Sequence, residues 1–272
     1  MLFFKGSKDV KELLLRVLLQ KKVSGISILD FPAGSGFTSN YLKSKGASVT
    51  AWDMFPEFFK SENLTCTQAD LQQPFPSESK KFELAIFQEG IEHLPDQFLA
   101  LKEFHRVIKE DGTLIVTTPN YSNLRSRLAY LLFESETPRM MPPNELESIW
   151  FGMDQRIYMG HIFSIGIMRL RVLATLAGFN LVKIHPARMN WSSFILILFL
   201  WPFILLQTYK TYWRALKKHK ITKNDEKRHI FISLVKLNLH PSVLLGGHLI
   251  VEFKRMKSSY SPNFVNSVMH ET

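Results

Sequence analysis

Three short apolar runs in the first 70 residues each stop at an aspartate. Residues 25–30 (GISILD) end on Asp30, residues 47–53 (ASVTAWD) end on Asp53, and residues 64–68 lead to Asp70. A glycine-containing turn and a helical pattern from about Thr38 to Lys45, closed by Gly46, separate the first two. Short apolar runs alternating with helical patterns predict parallel strands joined by crossover helices, an α/β domain. In such sheets ligands bind across the carboxyl ends of the strands. The three acids therefore fall where a ligand is expected.

The alternation continues. A fourth strand is predicted over Phe82–Phe87, a helix over Asp96–Ile108, and a fifth strand over Thr113–Thr118, ended by Pro119 and Asn120. From Tyr121 to Gly160 the pattern weakens: a helix over Arg125–Phe133, then Pro138, Pro142 and Pro143, with no strand apparent. A helix over His161–Ala177 closes at Gly178. Strands follow over Phe179–His185 and, much later, His248–Lys254. The chain has 272 residues, 46% of them hydrophobic and 21% charged, so it can bury a core and is not intrinsically disordered. Its one cysteine, Cys66, forms no internal disulfide and suits a reducing compartment.

Small residues after strand one, Ala33, Gly34 and Gly36, let the backbone approach a ligand closely. An acid at the end of strand two, Asp53, can accept from two ribose hydroxyls, and one after strand three, Asp70, from an adenine amine. Together they describe an adenosyl ligand held without a phosphate. A nicotinamide dinucleotide site is the nearest competitor, since Gly34, Gly36 and an acid 19 residues after Gly34 also suit it. Against it, the third glycine would fall at Ser39.

The segments Leu29-Asp30-x-x-x-Gly34-x-Gly36, Trp52-Asp53, Ala69-Asp70-Leu71 and Glu89-Gly90-Ile91-Glu92-His93-Leu94-Pro95, in this order, resemble the class I S-adenosylmethionine-dependent methyltransferases. Residues 104–109, 112–120, His161-Ile162-Phe163 and Ala177-Gly178-Phe179 extend the likeness, which covers about residues 20–185 and the last strand. The branch is similar to the quinone-biosynthesis and glycan-cluster methyltransferases. The resemblance implies a doubly wound, Rossmann-like sheet of seven strands with the last antiparallel. It also implies S-adenosylmethionine as cofactor, bound by Asp30, Ala33, Gly34, Gly36, Asp53, Asp70, Leu71 and Gln88. Pro32 stands where the family usually has glycine; it has no N–H and cannot take positive φ, which marks a variant loop.

Glu89, Glu92 and His93 form the one dense polar cluster near the expected methyl group, and in a helix the two glutamates would share a face. His93, assisted by Glu89, is the candidate general base. The resemblance to quinone O-methyltransferases adds a second option, a divalent metal on Glu89, Glu92 and His93. A third is that His93 merely braces the turn. His161 can face the substrate or cap its helix.

The charge is uneven. Residues 1–180 balance 20 Lys/Arg with 20 Asp/Glu, so the net charge of +10 belongs to the C-terminal third. There, 21 residues without a charge (189–209) precede a basic stretch, Arg214–Arg228. The apolar centre, Phe194–Leu206, is 13 residues, about 20 Å as a helix against a hydrocarbon core of about 30 Å. Pro202 is expected to break or bend it. Bordering Trp and Tyr and the following Lys and Arg are what an anionic membrane surface selects, and they favour headgroups over nucleic acid. Both flanking strands belong to one sheet, so the segment is expected to insert from one side, as a shallow hairpin or in-plane helix. The N-terminal residues, interrupted by Lys5, Lys8, Asp9, Lys11, Glu12 and Arg16, read as a packed helix and not as a signal peptide.

The expected organisation is a methyltransferase domain over 1–187 with a substrate-side insertion at 121–160, a membrane-associated insertion at 188–245, a final strand in 246–257 and a disordered tail at 258–272. The expected activity is methyl transfer at the cytoplasmic face of a membrane, onto a small-molecule or lipid-linked acceptor. Candidate acceptors are a quinone or phenol precursor and a sugar on a lipid carrier. A non-catalytic adenosyl-binding membrane adaptor and a nicotinamide-dependent oxidoreductase are the alternatives.

Overall fold

The computed structural model describes residues 7–256 except 139, 152–156, 223, 224 and 226. The expected disordered tail, 258–272, lies outside the described residues. In chain order the elements are α1 (Ser7–Leu19), β1 (Ser27–Asp30), α2 (Phe37–Ser44), β2 (Ser48–Asp53), β3 (Cys66–Gln68), β4 (Phe82–Gln88), α3 (Gln97–Val107), β5 (Ile108–Pro119) and α4 (Leu124–Phe133). They continue with β6 (Ile149–Phe151), β7 (Ile157–Met159), α5 (Ile167–Leu176), β8 (Phe179–Ile184), α6 (Trp191–Lys218), α7 (Arg228–Asn238), α8 (Pro241–Leu245) and β9 (His248–Arg255).

Seven strands form one sheet in the order β3-β2-β1-β4-β5-β9-β8. The first five run parallel, and β9 lies antiparallel to both β5 and β8. Side chains alternate across the sheet. Ile28, Ile86, Ile115 and Ile250 pack with Leu14, Leu18 and Leu42 of α1 and α2. Their neighbours Leu29, Phe87, Val116 and Val251 pack with Phe104 of α3 and Leu170 of α5 on the opposite face. Helices on both faces explain why these strands read as unbroken apolar runs and not as alternating ones.

Four expectations are corrected. Residues 121–160 are not strand-free, because β6 and β7 pair antiparallel. Each is three residues long, too short to show a period. The helix expected from His161 begins only at Ile167, where Ser122 Oγ accepts from the Ile167 N–H at 2.9 Å and closes its first turn. Glu89–His93 is not an α-helix: Glu89 has φ +48° and only Ile91–His93 makes a 3₁₀ turn. Pro202 does not break the apolar segment, which is one helix of 28 residues. Proline removes one N–H, at a cost of about 3 kcal/mol; the i→i−4 bonds on either side carry the helix past it.

The segment between β8 and β9 is tied back to the carboxyl end of β5. Asn120, buried just past β5, donates from Nδ2 to the carbonyls of Val243 at 2.9 Å and Gly246 at 2.8 Å, and its N–H donates to Gly247 O at 3.1 Å. Asn190 N–H donates to Leu245 O at 2.7 Å, closing the neck. Asn120→Ala removes the side-chain donor to Val243 O and leaves Gly246 O only Asn123 Nδ2 at 3.2 Å, and should lower stability by about 1–3 kcal/mol, measured by urea unfolding.

Candidate functional site

The carboxyl ends of β1, β2 and β4 converge. Asp30 is buried, and its Oδ2 accepts from Ser39 Oγ at 2.5 Å; its Oδ1 has no hydrogen-bond partner among the described residues. Burial pushes the carboxyl up to about 7; the Ser39 hydroxyl opposes this, and the nearby charge of Asp53 adds to it. A buried acceptor left open at a strand end is set to receive an N–H donor or a cation.

The loop that follows is shaped by two glycines in left-handed backbone, Gly34 at φ +52° and Gly36 at φ +79°. A Cβ at Gly36 would come within 2.8 Å of the Phe59 ring. The Gly34 N–H donates to Asp53 Oδ2 at 2.7 Å, so the strand-two acid holds the loop in place. Asp53 Oδ1 accepts from the Phe55 N–H at 2.8 Å. Ala33 donates its N–H to Trp52 O at 2.8 Å, which docks the loop on β2. Pro32 follows a cis peptide and packs on Gly90, where a Cβ would meet Pro32 Cδ at 2.9 Å. The variant loop therefore has its own counterpart in a glycine that the sequence did not single out.

The remaining cofactor candidates differ in what they expose. Gln88 Oε1 accepts from Thr38 Oγ1 at 2.9 Å, linking β4 to α2. Asp70 Oδ1 accepts from the Gln72 N–H, and Asp70 lines a cleft of about 390 Å³ with Met54, Ala69 and Pro74. Leu71 packs its side chain into the hydrophobic core. Asp30 with an open oxygen, a cradle that Cβ atoms would fill, and Asp53 and Asp70 on successive strands fit an adenosyl donor bearing a cationic centre.

The polar cluster is arranged differently from a single helical face. Glu89, in left-handed backbone that costs a non-glycine residue about 1–2 kcal/mol, turns its Oε1 to Thr117 Oγ1 at 2.9 Å. Its Oε2 lies 3.6 Å from His248 Nε2 at the start of β9. Glu92 is fully buried and accepts from Thr118 Oγ1 at 2.9 Å. Burial first, then the charge of Glu89, pushes its carboxyl well above the carboxylate range. The two glutamates thus anchor on consecutive threonines of β5.

His93 is committed at both nitrogens. Nδ1 lies 2.8 Å from Met159 O, which can only accept, so Nδ1 carries the proton; Nε2, 3.0 Å from the Tyr158 hydroxyl, then accepts. Burial, with His161 adding to it, pulls its pKa down to about 4. His161 is more open: its side chain is 38% exposed. Its Nδ1 faces Glu136 Oε2 at 3.1 Å, and Tyr121 and Ser164 hydroxyls donate to the other Glu136 oxygen at 2.8 and 3.0 Å. Burial draws His161 down, but the Glu136 hydrogen bond and the charges of Glu92 and Glu136 hold it above the usual histidine value.

Glu136, Tyr121, Tyr158 and His248 escape the sequence reading. The first three lie in the irregular stretch after β5 or in β7, and no spacing there marks a partner. Glu92, His93 and His161 bring possible ligand atoms within 4.8 Å of one another, whereas Glu89, expected among the metal ligands, is not in that group. Tyr158 engages His93 Nε2, whereas His161 has only Nδ1 on Glu136, so the grouping that could hold a metal has His161 in the place expected for Glu89.

Over residues 5–184 the chain matches the family described as a methyltransferase domain. It is 29% identical over 105 residues to the ubiquinone biosynthesis O-methyltransferase of Xanthomonas campestris pv. campestris (strain B100), covering 35% of this chain and 44% of that protein. It is 29% identical over 119 residues to the protein of the same name from Xylella fastidiosa (strain M23), covering 40% and 47%. The match thus spans less than half the length of these curated relatives. Among solved structures, it is similar to an S-adenosylmethionine-dependent methyltransferase from Archaeoglobus fulgidus, with TM-score 0.51, 15% identity, and 90% and 93% of the two chains covered. It is also similar to the PH0226 protein from Pyrococcus horikoshii OT3, with TM-score 0.52, 20% identity, and 68% and 87% covered. At these identities the structural likeness is one of fold.

Asp53→Ala removes the brace on Gly34 and, with it, the acceptor that the sequence assigns to ribose hydroxyls. It should weaken S-adenosylmethionine binding by about 1.5–3 kcal/mol, read by calorimetry. The ordered strand-end acids, the glycine cradle and a family match over residues 5–184 lead to one conclusion: the chain belongs to the methyltransferase-domain family.

Proposed function

We propose that the chain methylates a hydroxyl oxygen of a quinone or phenol precursor, or of a lipid-linked sugar, at the cytoplasmic face of a membrane. The names of the curated relatives support the oxygen as acceptor atom. The observation that carries the reading is the His161–Glu136 pair: an imidazole whose Nδ1–H is held by a buried carboxylate, next to the Glu89–His93 turn. The carboxylate only accepts, so it fixes the tautomer and leaves Nε2 free to take a proton.

In the proposed reaction the acceptor oxygen attacks the methyl carbon as the carbon–sulfur bond breaks. The hydroxyl proton passes to His161 Nε2, and S-adenosylhomocysteine leaves. His93 was the expected base; with both nitrogens engaged, it serves better as the brace of β7 against the turn, through Met159 and Tyr158. An oriented base beside the donor pocket is of no use to a non-catalytic adaptor.

The two histidines are separated by pH. A general base works when deprotonated, so the rate rises as pH passes through its pKa. His161 as base places that limb above the ordinary histidine value of about 6.5; His93 would place it near 4. His161→Ala should lower turnover about 10²–10⁴-fold with cofactor affinity unchanged. An acid limb near 4 that survives in His161→Ala would return the role to His93.

A further inference from the structure

The neck of the 185–247 segment leaves the sheet at the carboxyl edge of the parallel strands, where Asp30, Asp53 and Glu89 lie. β8 runs parallel to β5 and ends at that edge, while β9 runs the other way and begins there. His248, the first residue of β9, already reaches Glu89 of the polar cluster. α6 therefore stands beside the acceptor side of the site by topology.

α6 is held at both ends and free between them. At its start, buried Ser193 accepts from the Arg125 N–H of α4 at 3.1 Å. Further on, buried Thr208 accepts from Asn238 Nδ2 of α7 at 2.7 Å, and Leu216 is buried. Between these anchors, Leu198, Phe199, Leu200, Trp201, Pro202 and Phe203 are six consecutive exposed residues, with Phe199 at 70% and Phe203 at 68%. Along the helix, Trp191, Ile195, Leu198, Pro202, Leu206, Tyr209 and Trp213 recur every three or four residues and are all exposed, one apolar stripe about 33 Å long. Next to it, α4 exposes Leu131 at 80% and Leu132 at 67%. Lys210, Arg214, Lys217, Lys218 and Lys220 are exposed where the stripe ends. The surface is too long and apolar to be incidental, and the positive charge beside it calls for an anionic partner.

We propose that this ridge docks the enzyme onto an anionic lipid bilayer from one side, with the middle of α6 in the acyl region, Lys and Arg on the headgroups, and the acceptor edge of the sheet turned toward the lipid. The surface, unlike a span, has both ends fixed to one domain. This deepens the preceding reading, since a lipid-soluble acceptor then enters the site sideways from the bilayer, past α4.

Full-length protein is mixed with preformed vesicles of phosphatidylcholine alone, or of equal parts phosphatidylcholine and phosphatidylglycerol, and floated. The wild type should float with the anionic vesicles, and salt should only partly release it. Phe199→Glu with Phe203→Glu, both exposed, should weaken partitioning about a hundredfold, since each buried phenylalanine is worth roughly tenfold. S-adenosylmethionine affinity should stay unchanged, which shows the variant is folded. An impermeant thiol reagent outside the vesicles should label Arg188→Cys and Lys217→Cys alike. Wild type that fails to float, a double variant that floats equally well, or a Lys217→Cys site shielded inside the vesicle overturns the proposal. Methyl transfer is assayed with one phenol in solution and with its long-chain alkyl analogue dissolved in the vesicles. The double variant should lose only the second rate. If wild type methylates neither, the acceptor reading fails while flotation still decides the docking surface.

Discussion

Everything on the acceptor side depends on β9 lying between β5 and β8. Its register against β5 runs from Thr113 opposite Lys254 to Pro119 opposite His248, and β8 pairs only with β9. Until the chain returns from residue 247, β8 has no sheet to join. The whole 185–247 segment must therefore leave and re-enter at one edge, whatever its sequence. Asn120 closes that edge by holding the carbonyls of the returning chain. A long apolar helix in this place is constrained before any lipid is considered.

The same edge gathers charge that burial makes costly. Glu92 has no exposed surface, and Glu89 sits in backbone that side chains seldom adopt. Two consecutive threonines of β5 compensate part of this by donating one hydroxyl to each glutamate. Strain and desolvation together in one turn are what a functional site retains and a purely structural turn does not need. Opposite it, Glu136 receives two hydroxyls and one imidazole, so that its charge is spread over three partners.

The sheet was legible because its strands are buried on both faces: Ile28-Leu29 and Leu84 to Phe87 read as apolar runs with acids or turns at their ends. The placement of Asp30, Gly34, Gly36, Asp53 and Asp70 at or just past strand ends was legible for the same reason. The acceptor side was not. His161 alone was marked there; Tyr121, Glu136, Tyr158 and His248, which the fold brings around the Glu89–His93 turn, are far apart in the chain and joined by segments without a period. His93 carried the motif's prominence, yet its nitrogens are used by β7, a strand of three residues that no pattern announces. Pro202 misled in the opposite direction, because a local rule about one missing N–H said nothing of the 28-residue helix around it.

Asp30 has a thermodynamic consequence. With its carboxyl near 7 and one oxygen unpartnered, the ligand-free site holds a fraction of a proton at neutral pH. A cationic donor that engages this oxygen favours the ionised form, so its arrival expels that proton. Uptake of the methyl donor and release of hydrogen ion are then linked: affinity climbs as pH rises toward 7 and levels off above it. A donor held by this buried acid would be held in step with the acidity of its surroundings.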